Sequence, residues 1–286
     1  MDFLKKKIIS IFLLSFLFPF ISAKKSRIKK VRENNSITKD INSDNNKSDN
    51  NKKEEENISK REDKDFKYVV FDVSNCFWQK SLYDLLMSFK KRIKIPFRGY
   101  LDLLQCGVSY TFGTLDAKKG YETFFKYYKN KKESEVKEKC KLVWENDCKN
   151  YIYKDAYERL QRHKKDGLKT IMVDAGISQL YDELIKNYKF DYAFTSSLEF
   201  KNGMSTGKLK GEPCSGKQKY KLVKKLIEEE LGGSLKDVIF YANSHNDIML
   251  LEHVGKPIAV NPNKKLQKKA NKKGWPVLNF SELKKD

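Results

Sequence analysis

No two of the five cysteines in this 286-residue chain form a Cys-x-x-Cys pair, so zinc-ribbon and thioredoxin-like chemistry has no support. Cys140 and Cys148 stand eight apart in a helical stretch, which separates them by about 12 Å along the axis, too far for a disulfide. With Cys76, Cys106 and Cys214 they make an odd set, and buried thiols are expected in place of a disulfide framework. Zinc-finger spacing, a glycine-rich nucleotide loop and an RNA-recognition signature are missing too. The one long apolar run, Ile8 to Ala23, is short for a bilayer span and is interrupted by Pro19. From Lys24 to Asp65 apolar residues nearly vanish, and such a segment cannot bury enough surface to offset its ordering entropy.

The apolar run follows Lys5-Lys6-Lys7 and ends in Ser22-Ala23, the pattern of a secretory signal peptide over 1–23. An exported protein is therefore expected, periplasmic or secreted; an uncleaved membrane anchor is the alternative. No cysteine follows Ala23, which argues against lipoprotein processing. Residues 24–66 read as a disordered linker. The formal net charge is +21, with basic runs at 126–132, 217–225 and 264–273. Such a field attracts small phosphorylated molecules, nucleic acid or an anionic membrane surface; solvated helix faces are the plainer reading, and no motif favours nucleic acid.

Folded structure is expected from Phe66 onward. Tyr68 to Asp72 reads as a strand, and Lys80 to Arg162 mostly as helices, with three- and four-residue apolar spacing at 81–87, 136–151 and 153–163. Gly167 ends the last of these. Further strands are expected at 170–173, 190–194, on both sides of the turn Asn202-Gly203, at 238–241, 257–260 and 275–280. Helices are expected at 178–188, 217–231, 247–254 and 264–273. This alternation specifies an α/β fold with a parallel sheet covered on both faces. Sites in such sheets lie at the carboxyl ends of strands, where Asp72, Asp174 and Asn243 fall.

The ordered set Val70-Phe71-Asp72-Val73-Ser74-Asn75, Val173-Asp174-Ala175-Gly176, Gly216-Lys217-Gln218-Lys219, Tyr241-Ala242-Asn243-Ser244-His245-Asn246-Asp247 and Leu250-Leu251-Glu252 resembles the haloacid-dehalogenase (HAD) superfamily. The tail from Val254-Gly255-Lys256-Pro257 to Gly274-Trp275-Pro276 points to the phosphoserine-phosphatase-like branch. The resemblance implies a Rossmann-like (Rossmannoid) core at 67–79 and 166–286 with a helical cap inserted at 80–165. It implies phosphomonoester hydrolysis, with Asp72 as nucleophile and Lys219 holding both nucleophile and phosphate; Lys217 takes that place if the register slips. Mg²⁺ would lie among Asp72, the Ser74 carbonyl, Asn243 and Asp247.

Three positions depart from the family pattern. Ser74 replaces the aspartate that protonates the leaving group, a role typically worth ~10²–10⁴-fold in rate. Asp174 replaces a serine or threonine that binds the phosphate; a carboxylate about 4 Å from that group repels it by roughly 4 kcal/mol at an effective dielectric near 20. A rearranged acid or metal ligand is the other reading of Asp174. Asn243 replaces a metal-binding aspartate and weakens Mg²⁺ affinity. The readings that follow are a phosphatase of weak or altered activity, a pseudophosphatase that binds an anionic partner, and metal-independent nucleophilic chemistry as in the dehalogenases. His245 reads as a loop residue. Phe77, Trp78, Phe97, Tyr100, Tyr110 and Phe112 read as cap core or as the lining of an apolar substrate pocket.

Overall fold

The computed structural model describes residues 62–80, a few separate positions between 84 and 105, and residues 117–285. The signal peptide expected at 1–23, nearly all of the linker, most of the helix at 81–87, and Phe97, Tyr100, Cys106, Tyr110 and Phe112 lie outside the described residues. Among the described residues no helix is long and apolar enough to cross a membrane.

The described residues include regular structure ahead of residue 66, where the linker was expected to end. Asp63–Asp65 form a 3-10 turn, Asp63 pairs with Lys256 at 2.6 Å, and Phe66 is buried. Strand β1 (Tyr68–Asp72) follows. The described chain resumes with α1 (Ala117–Phe125), α2 (Glu133–Val143) and α3 (Lys154–Lys165), then β2 (Lys169–Ile177), α4 (Ser178–Tyr188) and β3 (Tyr192–Ser196). A hairpin, β4 (Leu198–Lys201) and β5 (Met204–Leu209), precedes α5 (Lys217–Lys224), β6 (Val238–Ala242) and the short α6 (Ile248–Leu251). Strand β7 (Lys256–Val260), α7 (Lys264–Lys273) and β8 (Val277–Leu278) complete the order.

Six strands form one parallel sheet in the order β3-β2-β1-β6-β7-β8. All five residues of β1 are buried, as a central parallel strand requires. Side-chain alternation sends Val69 and Phe71 to one face and Tyr68 and Val70 to the other. The first face is covered by α3 through Ala156 and Leu160 and by α4 through Leu180, Tyr181 and Leu184. The second is covered by α5 through Val223, by α6 through Leu250 and Leu251, and by α7 through Leu266 and Ala270. Each buried leucine or valine among these contributes roughly 1.5–3 kcal/mol.

Local chemistry sets several element ends. The β4–β5 hairpin turns through Asn202 (φ 51°) and Gly203 (φ 72°), the pair a two-residue turn with positive φ at both positions favours. The Asn263 side chain caps α7 by accepting the Leu266 N–H at 2.9 Å, and Gly274 ends it in the left-handed region.

Some expectations are corrected. Helix α3 packs on the sheet with Phe71 and β2, although the sequence placed it in the cap: helical spacing shows that a face is apolar but not which layer covers it. The strand expected at 190–194 is Tyr192–Ser196; just ahead of it Asp191 is tied to Thr170 of β2 through its backbone N–H at 3.0 Å and its carboxylate at 2.7 and 2.8 Å. The helix at 136–151 stops at Val143 and widens to a π turn over Trp144–Cys148; the one at 217–231 does the same over Lys225–Glu230. The helix at 247–254 and the strand at 275–280 shorten to Ile248–Leu251 and Val277–Leu278. Phe77 and Trp78 are fully buried core residues. Cys76, Cys140 and Cys214 are free, buried thiols, and Cys148 is buried as well.

Candidate active site

The three strand ends β1, β2 and β6 lie side by side, and the polar groups that follow them meet there. Asp72 is the last residue of β1, and its carboxylate is buried at 3% exposure. Beyond it the chain folds back tightly: the Val73 carbonyl accepts the N–H groups of Cys76, Phe77 and Trp78, and Asn75 takes a positive φ of 55°. That turn aims the Ser74 N–H back across the sheet toward β2.

Lys219 comes from the first turn of α5. Gly216 precedes the helix at φ 52° and ψ −123°, a conformation that suits glycine. The Lys219 ammonium donates to Asp72 Oδ1 at 2.7 Å and lies 3.0 Å from Asp247 Oδ1. Lys217 is exposed, so the register favours Lys219. Asp247 ends a 3-10 turn, His245–Asp247, whose Ser244 side chain accepts the Asn246 N–H. His245 pairs through Nδ1 with Asn263 Nδ2 at 3.0 Å, a structural contact beside the α7 cap. Asn243 is half-buried just after β6, and its carbonyl accepts the Asn263 N–H at 2.9 Å.

Asp174 is also buried, at 2% exposure. Its Oδ2 accepts the Ser74 N–H at 2.9 Å. Its Oδ1 accepts the Gly176 N–H at 2.8 Å and the Tyr181 hydroxyl at 2.5 Å. Tyr181 was not singled out in the sequence, because its place on α4 beside Leu180 and Leu184 reads as apolar core. Gly176 makes its approach feasible: a Cβ there would stand 2.6 Å from Tyr181 Cε2.

Three buried carboxylates, Asp72, Asp174 and Asp247, therefore share one buried ammonium. Burial pushes the Asp72 carboxyl well above the usual carboxylate range, and Asp247 and Asp174 add to this against the pull of Lys219. Burial opposes the charge on Lys219, but Asp247, Asp72 and Asp174 outweigh it and hold the ammonium well above its ordinary value. Burial, then the Asp174 charge, raises the Tyr181 hydroxyl and keeps it a donor.

Mg²⁺ takes oxygen ligands from a few carboxylates, carbonyls and waters. Asp72, the Ser74 carbonyl, Asn243 and Asp247 fit that ion in kind. Asp247 Oδ2 is buried without a hydrogen-bond partner, and the surplus of carboxylates over ammonium favours a cation. Asn243 makes one ligand neutral. Among the described residues no group of three His, Cys, Asp or Glu side chains surrounds a metal position.

The family model for haloacid dehalogenase-like hydrolases matches residues 69–252, and the chain belongs to that family. It is similar to a phosphoserine phosphatase of Archaeoglobus fulgidus, with 33% identity over 106 residues, 37% of this chain and 30% of that protein. A protein of unknown function from Bordetella pertussis shares the fold, with TM-score 0.66 and 21% identity over 74% of this chain and 98% of that one. A phosphoserine phosphatase solved as an analogue of its phospho-aspartyl intermediate does so with TM-score 0.57 and 19% identity, over 74% of this chain and 93% of that one. The match to curated relatives such as the phosphoserine phosphatase and a probable phosphatase of Mycobacterium tuberculosis spans 30% and 45% of their lengths.

Proposed function

We propose that this protein is a phosphomonoester hydrolase of low turnover, with Asp72 as its nucleophile. One observation carries the reading: Asp72 ends the central strand, buried, with its carboxylate 2.7 Å from the Lys219 ammonium. An Asp72 oxygen attacks phosphorus, the bond from phosphorus to the leaving oxygen breaks, and water then hydrolyses the aspartyl-phosphate to release inorganic phosphate. The phosphoserine phosphatase solved as a phospho-aspartyl analogue supports this role by likeness. Lys219 positions Asp72 and offsets charge on the transferring group, and Asp247 holds Lys219 in place. Bound Mg²⁺, held by Asp72, the Ser74 carbonyl, Asn243 and Asp247, would supply charge shielding on that group.

Ser74 supplies no proton near neutral pH, so the leaving oxygen departs as an anion or takes its proton from water. Aryl and acyl phosphates, whose leaving groups are weak bases, are therefore the favoured substrates over alkyl phosphates. A second reading, a pseudophosphatase that binds an anionic partner through its lysine-rich surface, is favoured by Asp174, which engages donors that an anionic ligand needs. Export of the chain belongs to the same proposal; mass spectrometry of the mature amino terminus tests it.

The central test is phosphate release from aryl and alkyl phosphomonoesters, with Mg²⁺ or chelator, beside Asp72→Asn. Mg²⁺-dependent turnover that favours aryl substrates and disappears in Asp72→Asn is the expected result. Turnover indifferent to chelator would point to metal-independent chemistry. No turnover from folded protein, with salt-sensitive retention of a polyanion, would establish the binding role.

A further inference from the structure

We infer that the helices α5, α6 and α7 form a docking surface for an anionic lipid bilayer, which they meet through exposed lysines around the Met249 side chain. The inference stands apart from the chemistry at Asp72.

The three helices form one layer on the second face of the sheet. Tyr220 of α5 packs on His253, just past α6, with ring centroids 4.7 Å apart, and Lys269 of α7 pairs with Glu252, also just past α6, at 2.5 Å. The short α6 is therefore the middle member. Each outer helix buries one stripe and turns lysines outward at the opposite positions. On α5 the buried residues are Lys219 and Val223, and Lys217 and Lys221 are exposed. On α7 the buried residues are Leu266 and Ala270, and Lys264, Lys265, Lys268 and Lys272 are exposed. The middle helix exposes an apolar side chain, Met249, at 38%.

This surface differs from a solvated helix face of mixed sign. Residues 253–281 contain no Asp or Glu, and none of the six lysines forms an ion pair among the described residues. Helix α2 shows the mixed arrangement, with Lys137 and Lys139 paired to Glu133 and Glu135 at 3.0 and 3.9 Å. Helix α7 instead repeats lysine at four-residue spacing through Lys264, Lys268 and Lys272, and like charges at that spacing weaken a helix. An anionic surface relieves that repulsion and attracts each lysine in addition.

Shape selects the partner. The lysines spread over a layer of helices, not along one element that could enter a groove of duplex nucleic acid. No aromatic ring is exposed on the three helices for single-stranded bases to stack on. An exposed thioether among lysines suits a bilayer, whose headgroups meet the ammonium groups while the acyl boundary takes the apolar chain.

The test is co-sedimentation of the full chain with vesicles of phosphatidylcholine, with and without phosphatidylserine, at low and high salt. The unaltered protein should prefer the phosphatidylserine vesicles, and high salt should abolish the preference. Each lysine near an anionic membrane strengthens partitioning roughly fivefold, so Lys264→Gln, Lys265→Gln, Lys268→Gln and Lys272→Gln together should weaken phosphatidylserine-dependent binding on the order of 100-fold. An equal change of charge at exposed lysines of α2 and α3, Lys137→Gln, Lys141→Gln, Lys154→Gln and Lys165→Gln together, should weaken it by less than about tenfold. Circular dichroism checks folding; if the α7 variant does not fold, Lys264→Gln with Lys268→Gln decides, with a loss of about tenfold supporting the inference and no loss overturning it. No preference for phosphatidylserine, or equal losses in the α7 variant and the α2–α3 variant, overturns the inference. Retention of duplex DNA as tight as that of the vesicles, and lost in the same α7 variant, overturns it in favour of nucleic acid.

Discussion

Replacing Lys219 by methionine should destabilise the protein more than most single core changes. The residue is 4% exposed, and its ammonium contacts Asp72 and Asp247, themselves 3% and 1% exposed. Methionine fills nearly the same volume, so the cost is not a cavity. It is the cost of leaving two buried carboxylates without their counter-charge, about 3–5 kcal/mol when one partner of a buried pair is removed. Part is recovered because Asp72, already pushed upward by burial, takes up a proton. For a folded unit of this size, each kcal/mol shifts Tm by about 2–4 °C, so a fall of roughly 10 °C is expected. Urea denaturation at constant pH measures the change directly, and Asp247→Asn added to Lys219→Met should return about half of the loss, because it removes one of the two orphaned charges. A loss below about 1 kcal/mol, or a double variant no more stable than the single, would refute the reasoning that the three groups form one buried charge cluster.

Gly176→Ala should displace the Tyr181 ring, whose Cε2 lies 2.6 Å from the added Cβ, and cost about 1–3 kcal/mol; if Tyr181→Phe in the same background costs nothing more, the hydroxyl contact was already lost, and an additive loss would argue against it. Burial lowers His163 to about 4, so the unfolded chain binds more protons there between pH 6.5 and 4. Stability should fall by ~3 kcal/mol as pH drops through that window, and His163→Phe should flatten the slope measured by denaturation at several pH values. Asn243→Asp should tighten Mg²⁺ binding by about tenfold or more, seen as a larger Mg²⁺-dependent rise in Tm than in the unaltered protein; an unchanged rise would remove Asn243 from the metal site.

The positions of Asp72, Asp174 and Asn243 were legible because each closes a short apolar run, and parallel strands place such ends together. Lys219 was legible through the family resemblance, which expects a lysine opening a helix shortly after a glycine, here Gly216. Tyr181 was not, since an aromatic at core spacing on α4 looks like any other packing residue. Nor was the covering of the sheet by α3, because an apolar stripe does not name its partner. The same limit applies to the strand at 192–196: Phe190 is buried, and Asp191 is fixed to Thr170 of β2 by backbone and carboxylate together. These bonds join residues 21 apart in sequence, which no local pattern contains.

The departures at Ser74, Asp174 and Asn243 are best understood as a relocation of charge. Relative to the family pattern, carboxylates are missing at 74 and 243 and one is present at 174. Negative charge thus moves from where a metal and a leaving group would be served to where a phosphate would be received. Both changes act against ordinary phosphoryl transfer, the first by weakening the hold on a cation and the second by occupying anion donors. Yet Asp72, Lys219 and Asp247 remain joined at 2.7 and 3.0 Å, a buried arrangement that is costly to maintain and that a merely structural core would replace with apolar residues at no loss. Its presence favours chemistry at Asp72 over a fold kept only for its surface. On the proposed reading, the altered neighbours would govern which leaving groups and which anions Asp72 accepts.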